Sequence, residues 1–466
     1  MRHQPVRAAR PFRFLSFWGA VVVGAVLAAG FTAGAQELRG LSEVKERAWD
    51  FPKIEVRREQ VGEGVWRATG VSNAYLVQVP GGYVLVDSGL PHQARAQMKL
   101  LEEVMDGPLL YIVLTHSHID HVGGAKLWAQ KYPDAKVVAH EAFPAMQRTL
   151  VELAPYFARR GAMAMPSLVA STGTSGRTDP LLAQGGIEPD ILIDDDEPLL
   201  LQFGDRHLQV FPMPGGEGAD GLTVWLPDQE MLFTGDLTGP HFPAFPNLYS
   251  IRGERYREFL PYVGSLDVAL TLEPSVVAHG HFDVIRGKDY IREALTRQRD
   301  AVQSIHDQTV AGMNAGKGLP ELMEEVELPP ELALSEGYGR VSWSVRSLWE
   351  TYTGWFDFES TTSLYPVPPR SIYPDLVAAA GGVTPILEKA QSRLAAGQPV
   401  AALHLVEVAE AVSLDNAQVL ALKRQALEAL RERAAAGRNN FYEVSWLDAR
   451  LAEVKKAQVA SPPKDR

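Results

Sequence analysis

Three histidines and an aspartate fall within six residues, His116-Ser117-His118-Ile119-Asp120-His121. Imidazole nitrogens and a carboxylate at this density make poor core material. They make good ligands for a divalent cation, zinc above all, with iron or manganese less specific choices. In an extended stretch His116 and His118 point the same way and can grip one ion. Asp120 and His121 lie on the turn beyond and can face a second. The bland alternative is a polar loop that happens to hold several histidines. The neighbouring residues argue against it. The apolar run Leu110-Tyr111-Ile112-Val113-Leu114 comes before, with the length and composition of a strand. Gly123-Gly124 come after and permit a tight turn with close backbone approach. A buried strand thus carries the cluster to the edge of a sheet.

The pattern H-x-H-x-D-H is similar to the signature of the metallo-β-lactamase fold. Asn73-Ala74-Tyr75-Leu76-Val77 and Tyr83-Val84-Leu85-Val86-Asp87-Ser88-Gly89 resemble that fold's first strands. The resemblance implies an α/β protein built as an αββα sandwich. Asp87, at the end of a buried strand, either orients a ligand histidine or forms a strand-terminal Asx-turn. Most proteins of this fold place a third ligand histidine after a strand and a Pro-Gly pair. Here Met213-Pro214-Gly215-Gly216-Glu217 offers glutamate instead. Thr234-Gly235-Asp236 ends the strand that normally delivers a bridging carboxylate, and Ser275-Val276-Val277-Ala278-His279-Gly280-His281 ends another with histidine. The resemblance therefore implies two ions, probed by His116, His118 and Glu217 on one side and Asp120, His121 and His279 on the other. Asp236 would bridge them, and each ion would keep a position for water. His281 is the alternative to His279, which is preferred because it lies nearer the strand end.

The 466 residues suffice for two or three domains with ample core. Hydrophobic residues make up 46% and charged residues 22%, an ordinary globular balance. A formal charge of −12 argues against nucleic acid as a partner. It does not exclude an anionic substrate, because bound cations and nearby arginines dominate the field of a site. The absence of cysteine excludes disulfides, thiolate zinc ligands and a thiol nucleophile.

Residues 1–35 have the layout of a secretory signal peptide. Arg2, Arg7, Arg10 and Arg13 form a basic head, an apolar run follows, and Ala33-Gly34-Ala35 supplies small residues for cleavage. Export to the periplasm or beyond is expected, with an uncleaved membrane anchor as the alternative. From 36 to about 295 short apolar strands alternate with turns and helical stretches, as expected for a catalytic domain. Ile191-Leu192-Ile193, Leu208-Gln209-Val210-Phe211, 222–226 and 230–234 read as strands, and 163–186 as a loop or lid over the site. From 296 to 458 long amphipathic helical patterns take over, including 291–313 and 322–326 around the join. The pair 391–412 and 417–436 has the flavour of a tetratricopeptide unit, an appendage suited to interaction or dimerisation.

Glutamate at 217 is similar to the alkyl sulfatase branch of the metallo-β-lactamase superfamily. Further segments carry the same resemblance. Asn247-Leu248-Tyr249-Ser250-Ile251-Arg252-Gly253 is similar to its N-L-Y-T-x-R-G stretch, and Ile305-His306-Asp307-Gln308-Thr309 to its I-H-D-Q-T helix. Glu327-Leu328-Pro329-Pro330, Gly354-Trp355-Phe356-Asp357, Gly381-Gly382 and Asn439-Asn440-Phe441-Tyr442 resemble parts of its all-helical dimerisation domain. The resemblance implies a homodimer and a dizinc hydrolase of alkyl or related organic sulfates. Asp120, Asn247 and Arg252 form the expected catalytic set, the last two holding the sulfate. His241 is a candidate proton donor. Three departures stand out. Asp236 replaces a glutamate, His279-Gly280-His281-Phe282 replaces H-H-W-P, and no counterpart of the longer members' lipid-carrier-like domain is expected. The last weakens the case for long-chain alkyl sulfates. Another hydrolase of the fold, cleaving a lactone, thioester or phosphoester, is the alternative enzyme. A catalytically silent binding module is the third possibility, disfavoured because every ligand position holds a competent side chain.

Overall fold

A computed structural model of the chain describes residues 54–164, 187–249, 251, 253, 255, 257–356 and 358–460. The expected signal peptide lies outside the described residues, as does nearly all of the expected lid. Among the described residues no helix is long and apolar enough to cross a membrane.

Two sheets form the centre. The first holds seven strands in chain order, β1 (Arg58–Gly62), β2 (Val65–Ala68), β3 (Ala74–Val79), β4 (Gly82–Val86), β5 (Leu109–Val113), β6 (Lys136–His140) and β7 (Ile191–Ile193). The first four pair antiparallel, and β4 to β7 run parallel. The second sheet holds β8 (Leu199–Phe203), β9 (Arg206–Pro212), β10 (Leu222–Leu226), β11 (Met231–Gly235), β12 (Val276–His279) and β13 (Ile285–Arg286), ordered from β13 to β8. Only β11 and β12 are parallel in it.

The faces of the two sheets that meet are lined by Val77, Val84, Val86 and Val113 on one side and Leu208, Val210, Val224 and Phe233 on the other. Such alternating and continuous β-branched runs favour strands that bury one or both faces. Helices Pro91–Glu102 and Ala125–Lys131 cover the outside of the first sheet through Met98, Leu101 and Trp128. Helices Phe259–Thr271, Lys288–Asn314 and Val341–Thr353 cover the second through Tyr262, Leu266, Leu295, Val302 and Val345. This is the expected αββα sandwich with helices following it.

The remaining helices, Val383–Ala395, Pro399–Glu410, Ala417–Ala436 and Phe441–Ala460, each pack on the next. The turn that Ala395-Ala396-Gly397 marks in the sequence divides the stretch 391–412 between two helices, since Gly397 takes φ 72° there and Pro399 begins the second. The expected domain boundary at 295/296 falls inside the helix Lys288–Asn314. Ile291, Ala294, Leu295, Ala301 and Val302 bury one continuous face in the core beneath the second sheet.

Parallel neighbours end on the same edge, so β4 beside β5 and β11 beside β12 gather Asp87, His116, Asp236 and His281 at one rim. Phe233 fills the space between the sheets, its ring edge-on to Tyr75 at 5.2 Å. Phe233→Ala is expected to cost about 3–5 kcal/mol of stability. Chemical denaturation would show this as a lower midpoint, and an unchanged midpoint would mean that the sheets do not share this core.

Candidate metal centre

The loop after β5 carries the H-x-H-x-D-H cluster, and its geometry follows from Asp87. Asp87 sits at φ 58°, and its carboxylate accepts from Thr115 N at 2.9 Å and Thr115 Oγ1 at 2.8 Å. The same carboxylate meets His121 Nδ1 at 2.8 Å, leaving Nε2 directed into the site. Asp87 therefore both ends the strand and orients a histidine. Thr115 Oγ1 also meets His116 Nδ1 at 3.0 Å, which turns His116 Nε2 inward. The Ser117 amide donates to the buried Asp220 carboxylate at 2.9 Å, pinning the loop from the far side.

Four donors then converge. His116, His118, Glu217 and Asp236 each offer an atom within 4.8 Å of the others. His116 Nε2 and His118 Nδ1 stand 2.9 Å apart, a separation at which two imidazole nitrogens need a proton or a cation between them. Asp120, His121 and His281 form a second such group. Asp236 lies between the two. Its Oδ1 is 3.4 Å from His121 Nε2 and its Oδ2 is 3.1 Å from His281 Nε2. His281 Nε2 is also 3.5 Å from Asp120 Oδ2. The shorter aspartate reaches both groups because two glycines let the backbones close in. A Cβ on Gly235 would lie 2.4 Å from Thr115 Oγ1, and one on Gly280 would lie 2.4 Å from Asp236 Oδ1.

The last histidine departs from expectation. His279 ends β12, but its Nε2 donates to the Asp283 carbonyl at 2.9 Å, away from either donor group. The chain turns at Gly280, and it is His281 that enters the second group. The Nδ1 of His281 donates to the Val71 carbonyl, so Nε2 keeps its lone pair for the site. Proximity to the strand end was the wrong guide, since the turn redirects the side chains beyond it.

Glu217 rides on the loop between β9 and β10, closed by Met213 N donating to the Gly221 carbonyl at 2.7 Å. The buried Arg257 clamps it. Arg257 Nη1 donates to Glu217 Oε1 at 2.8 Å, Nη2 pairs with Oε2, and Nε donates to the Glu217 carbonyl at 3.1 Å. Tyr338 Oη adds a donor to Oε1 at 3.3 Å. The guanidinium also donates to the Asn247 carbonyl, which ties Glu217 to the next segment. Asn247 is buried, and among the described residues its Nδ2 has no hydrogen-bond partner. Arg252 lies outside the described residues. His241 is placed with its ring stacked on Phe282, 5.1 Å between centroids. Sequence reasoning missed Arg257, Tyr338 and Asp220. Arg257, ten residues after Asn247 in a charged run, was the one with a local signal.

Charge in the cluster is divided. Burial, with His121 and His118 nearby, pushes His116 well below the ordinary histidine value. Burial also works against charge on His121, but Asp236, Asp120 and Asp87 outweigh it and raise that imidazole well above. Burial opposes charge on His281 too, and Asp236 again prevails and raises it. Burial would lift the Asp236 carboxyl, yet His281 and His121 hold it well below the usual range. His279, set apart, is pushed down by burial and by His281 to about 4.

The donor set fits divalent cations. Among the described residues His121 Nε2 and Asp236 Oδ1 are buried with no hydrogen-bond partner, and all seven converging groups are imidazole or carboxylate. A cation must displace the protons that His121 and His281 hold, so zinc affinity is expected to rise with pH through their deprotonation, above the ordinary value of about 6.5. Competition with a chromophoric chelator at several pH values measures this. An affinity flat between about pH 5 and 8 would remove these two imidazoles from the donor set.

Residues 67–283 match the model of the metallo-beta-lactamase superfamily, and residues 319–450 match that of alkyl sulfatase dimerisation. The chain is 30% identical over 335 residues to a linear primary-alkylsulfatase of a Pseudomonas species, covering 67% of this chain and 61% of that protein. It is 25% identical over 423 residues to an alkyl/aryl-sulfatase of Saccharomyces cerevisiae, covering 85% and 64%. The chain thus spans about three fifths of the length of these relatives. Its fold is that of the stereoselective inverting sec-alkylsulfatase of Pseudomonas sp., with TM-score 0.72 at 23% identity over 88% of this chain and 67% of that one. The chain belongs to the metallo-β-lactamase superfamily, in the branch that carries an alkyl sulfatase dimerisation domain.

Proposed function

We propose that the protein is a metal-dependent hydrolase of alkyl or related organic sulfate esters, loaded with two zinc ions. His116, His118 and Glu217 would hold one ion and Asp120, His121 and His281 the other, with Asp236 between them. Bound there, the ions would lower the pKa of a shared water to about 7 and neutralise charge on an anionic ester. Asp87 and Thr115 keep His121 and His116 turned inward, and Arg257 keeps the Glu217 carboxylate in place. The observation that carries the substrate class is Asn247. Among the described residues its buried side-chain nitrogen has nothing to donate to, a state that costs about 1–3 kcal/mol unless a ligand takes up the bond. A sulfate oxygen is such a ligand, and Arg252 in the same segment would add a planar cationic fork. The relatives named alkylsulfatases support the same class.

Sulfate release from short and long primary alkyl sulfates, with metal content measured alongside, tests this. The wild type is expected to carry two metals and release sulfate. Asn247→Ala is expected to keep both metals and lose activity by about 10²-fold or more. Two metals without sulfate release would keep the centre and discard the substrate. Lactones, thioesters and phosphoesters would then be next, a reading that Asp236 in place of glutamate favours. Export directed by residues 1–35 belongs to the same proposal, and N-terminal sequencing of the mature protein tests it.

A homodimer formed through the helical region completes the proposal. Trp355 and Phe358 are 74% and 86% exposed, and Leu364, Tyr365, Val367 and Ile372 follow them on the surface. Apolar side chains this dense on a surface mark an interaction site. Sedimentation velocity is expected to give a dimer for the wild type and a monomer for the Trp355→Glu, Phe358→Glu double variant. A dimer that survives both substitutions would place the interface elsewhere.

A further inference from the structure

Asn440 is fully buried at the start of the last helix, Phe441–Ala460, and every polar atom of its carboxamide is used. Its Oδ1 accepts from the amides of Tyr442 at 3.1 Å and Glu443 at 3.2 Å, capping the helix. Its Nδ2 donates to the carbonyls of Glu336 at 2.7 Å and Tyr338 at 3.1 Å. Phe441 N adds a bond to the Gly337 carbonyl at 2.8 Å. The last helix is therefore fastened to the segment 336–338 by the backbone itself.

That segment is a strap with two further attachments. Along one edge it joins the stretch leading to Asn247. Phe245 N donates to the Ser335 carbonyl at 2.8 Å, and Gly339 N donates to the Phe245 carbonyl at 3.1 Å. The approach is so close that a Cβ on Gly339 would lie 1.9 Å from the Pro246 carbonyl oxygen. From its centre, Tyr338 reaches Glu217 Oε1 with its hydroxyl while its ring lies 5.6 Å from that of Tyr442. One short strap thus links a carboxylate of the metal centre, the Asn247 segment and the cap of a helix more than 200 residues away from Glu217.

We propose that Asn440 and Tyr338 are positioning residues for the metal centre, through which the last helix of the dimerisation region holds Glu217 in ligating geometry. Glu217 replaces the usual neutral histidine with a flexible charged side chain, so its direction must be set from outside. Arg257 grips the carboxylate from one side, and Tyr338 supplies the hydrogen bond from the helical region. The inference rests on the assignment of Glu217 as a ligand.

The test is zinc binding to the full chain, resolved into two sites by chelator competition, with the melting temperature of the metal-free protein recorded beside it. Tyr338→Phe deletes one hydroxyl and leaves the ring on Tyr442. It is expected to weaken one of the two zinc sites about tenfold and leave the other unchanged. Asn440→Ala is expected to weaken the same site, and the double variant no further than the stronger single. Arg431→Ala, which breaks an exposed ion pair with Asp448 beside the same last helix, is expected to leave both sites as in the wild type. Should Asn440→Ala fail to fold, Tyr338→Phe decides alone. Wild-type affinity at both sites in Tyr338→Phe overturns the proposal, as does equal weakening of both. Glu217→Gln separates the two levels: if it keeps two sites of wild-type affinity, the ligand assignment itself is what fails.

Discussion

Five carboxylates, those of Asp87, Asp120, Glu217, Asp220 and Asp236, crowd with four imidazoles onto the rim of two apolar sheets. Removing such groups from water is expensive, and each must find a compensating donor or cation. The structure around the rim is organised by that demand. Asp87 is consumed by Thr115 and His121, Asp220 by the Ser117 amide, and Glu217 by Arg257 and Tyr338. Asp120 and Asp236, both facing His121 and His281, retain capacity for something more. Divalent cations would satisfy the remaining valences without adding bulk.

The sheet topology is what makes this crowding possible. Parallel pairing of β4 with β5 and of β11 with β12 ends four strands on one edge, where backbone groups freed from the ladder can bond to side chains. Glycines at 235 and 280 then bring those ends closer than any side chain would allow. A register shift lies in each parallel pair, between Tyr83 and Val84 and between Phe233 and Gly235. Bulges of this kind re-aim strands next to functional sites.

Much of the arrangement was legible because it is local. His116 to His121 are contiguous, and their strand and glycines announce them. Glu217 and Asp236 follow strands whose apolar runs are plain, and the resemblance to the metallo-β-lactamase fold implied their place at the rim. The choice of His281 over His279 was not legible, because period-two alternation holds only while the strand lasts, and β12 stops at His279. Arg257 and Tyr338 were hidden for another reason. Their part depends on meeting a carboxylate 40 and 121 positions away, and no short pattern encodes such an encounter. The turn at 397 was legible as well, because Ala395-Ala396-Gly397 interrupts the alanine-rich helical pattern with a proline behind it.

The helix Lys288–Asn314 runs past the point where a catalytic domain was expected to end, burying one face of its length under the second sheet. A gene fusion or chimaera cut at the midpoint of this helix would leave half an amphipathic rod on each fragment. The natural seam is the turn after Asn314, where Gly316 takes φ 81° and the chain restarts at Leu319. A chimaera exchanging the following helices would have to begin there, and both the core face of Val341–Thr353 and the strap at 335–339 would still have to be matched to the new host.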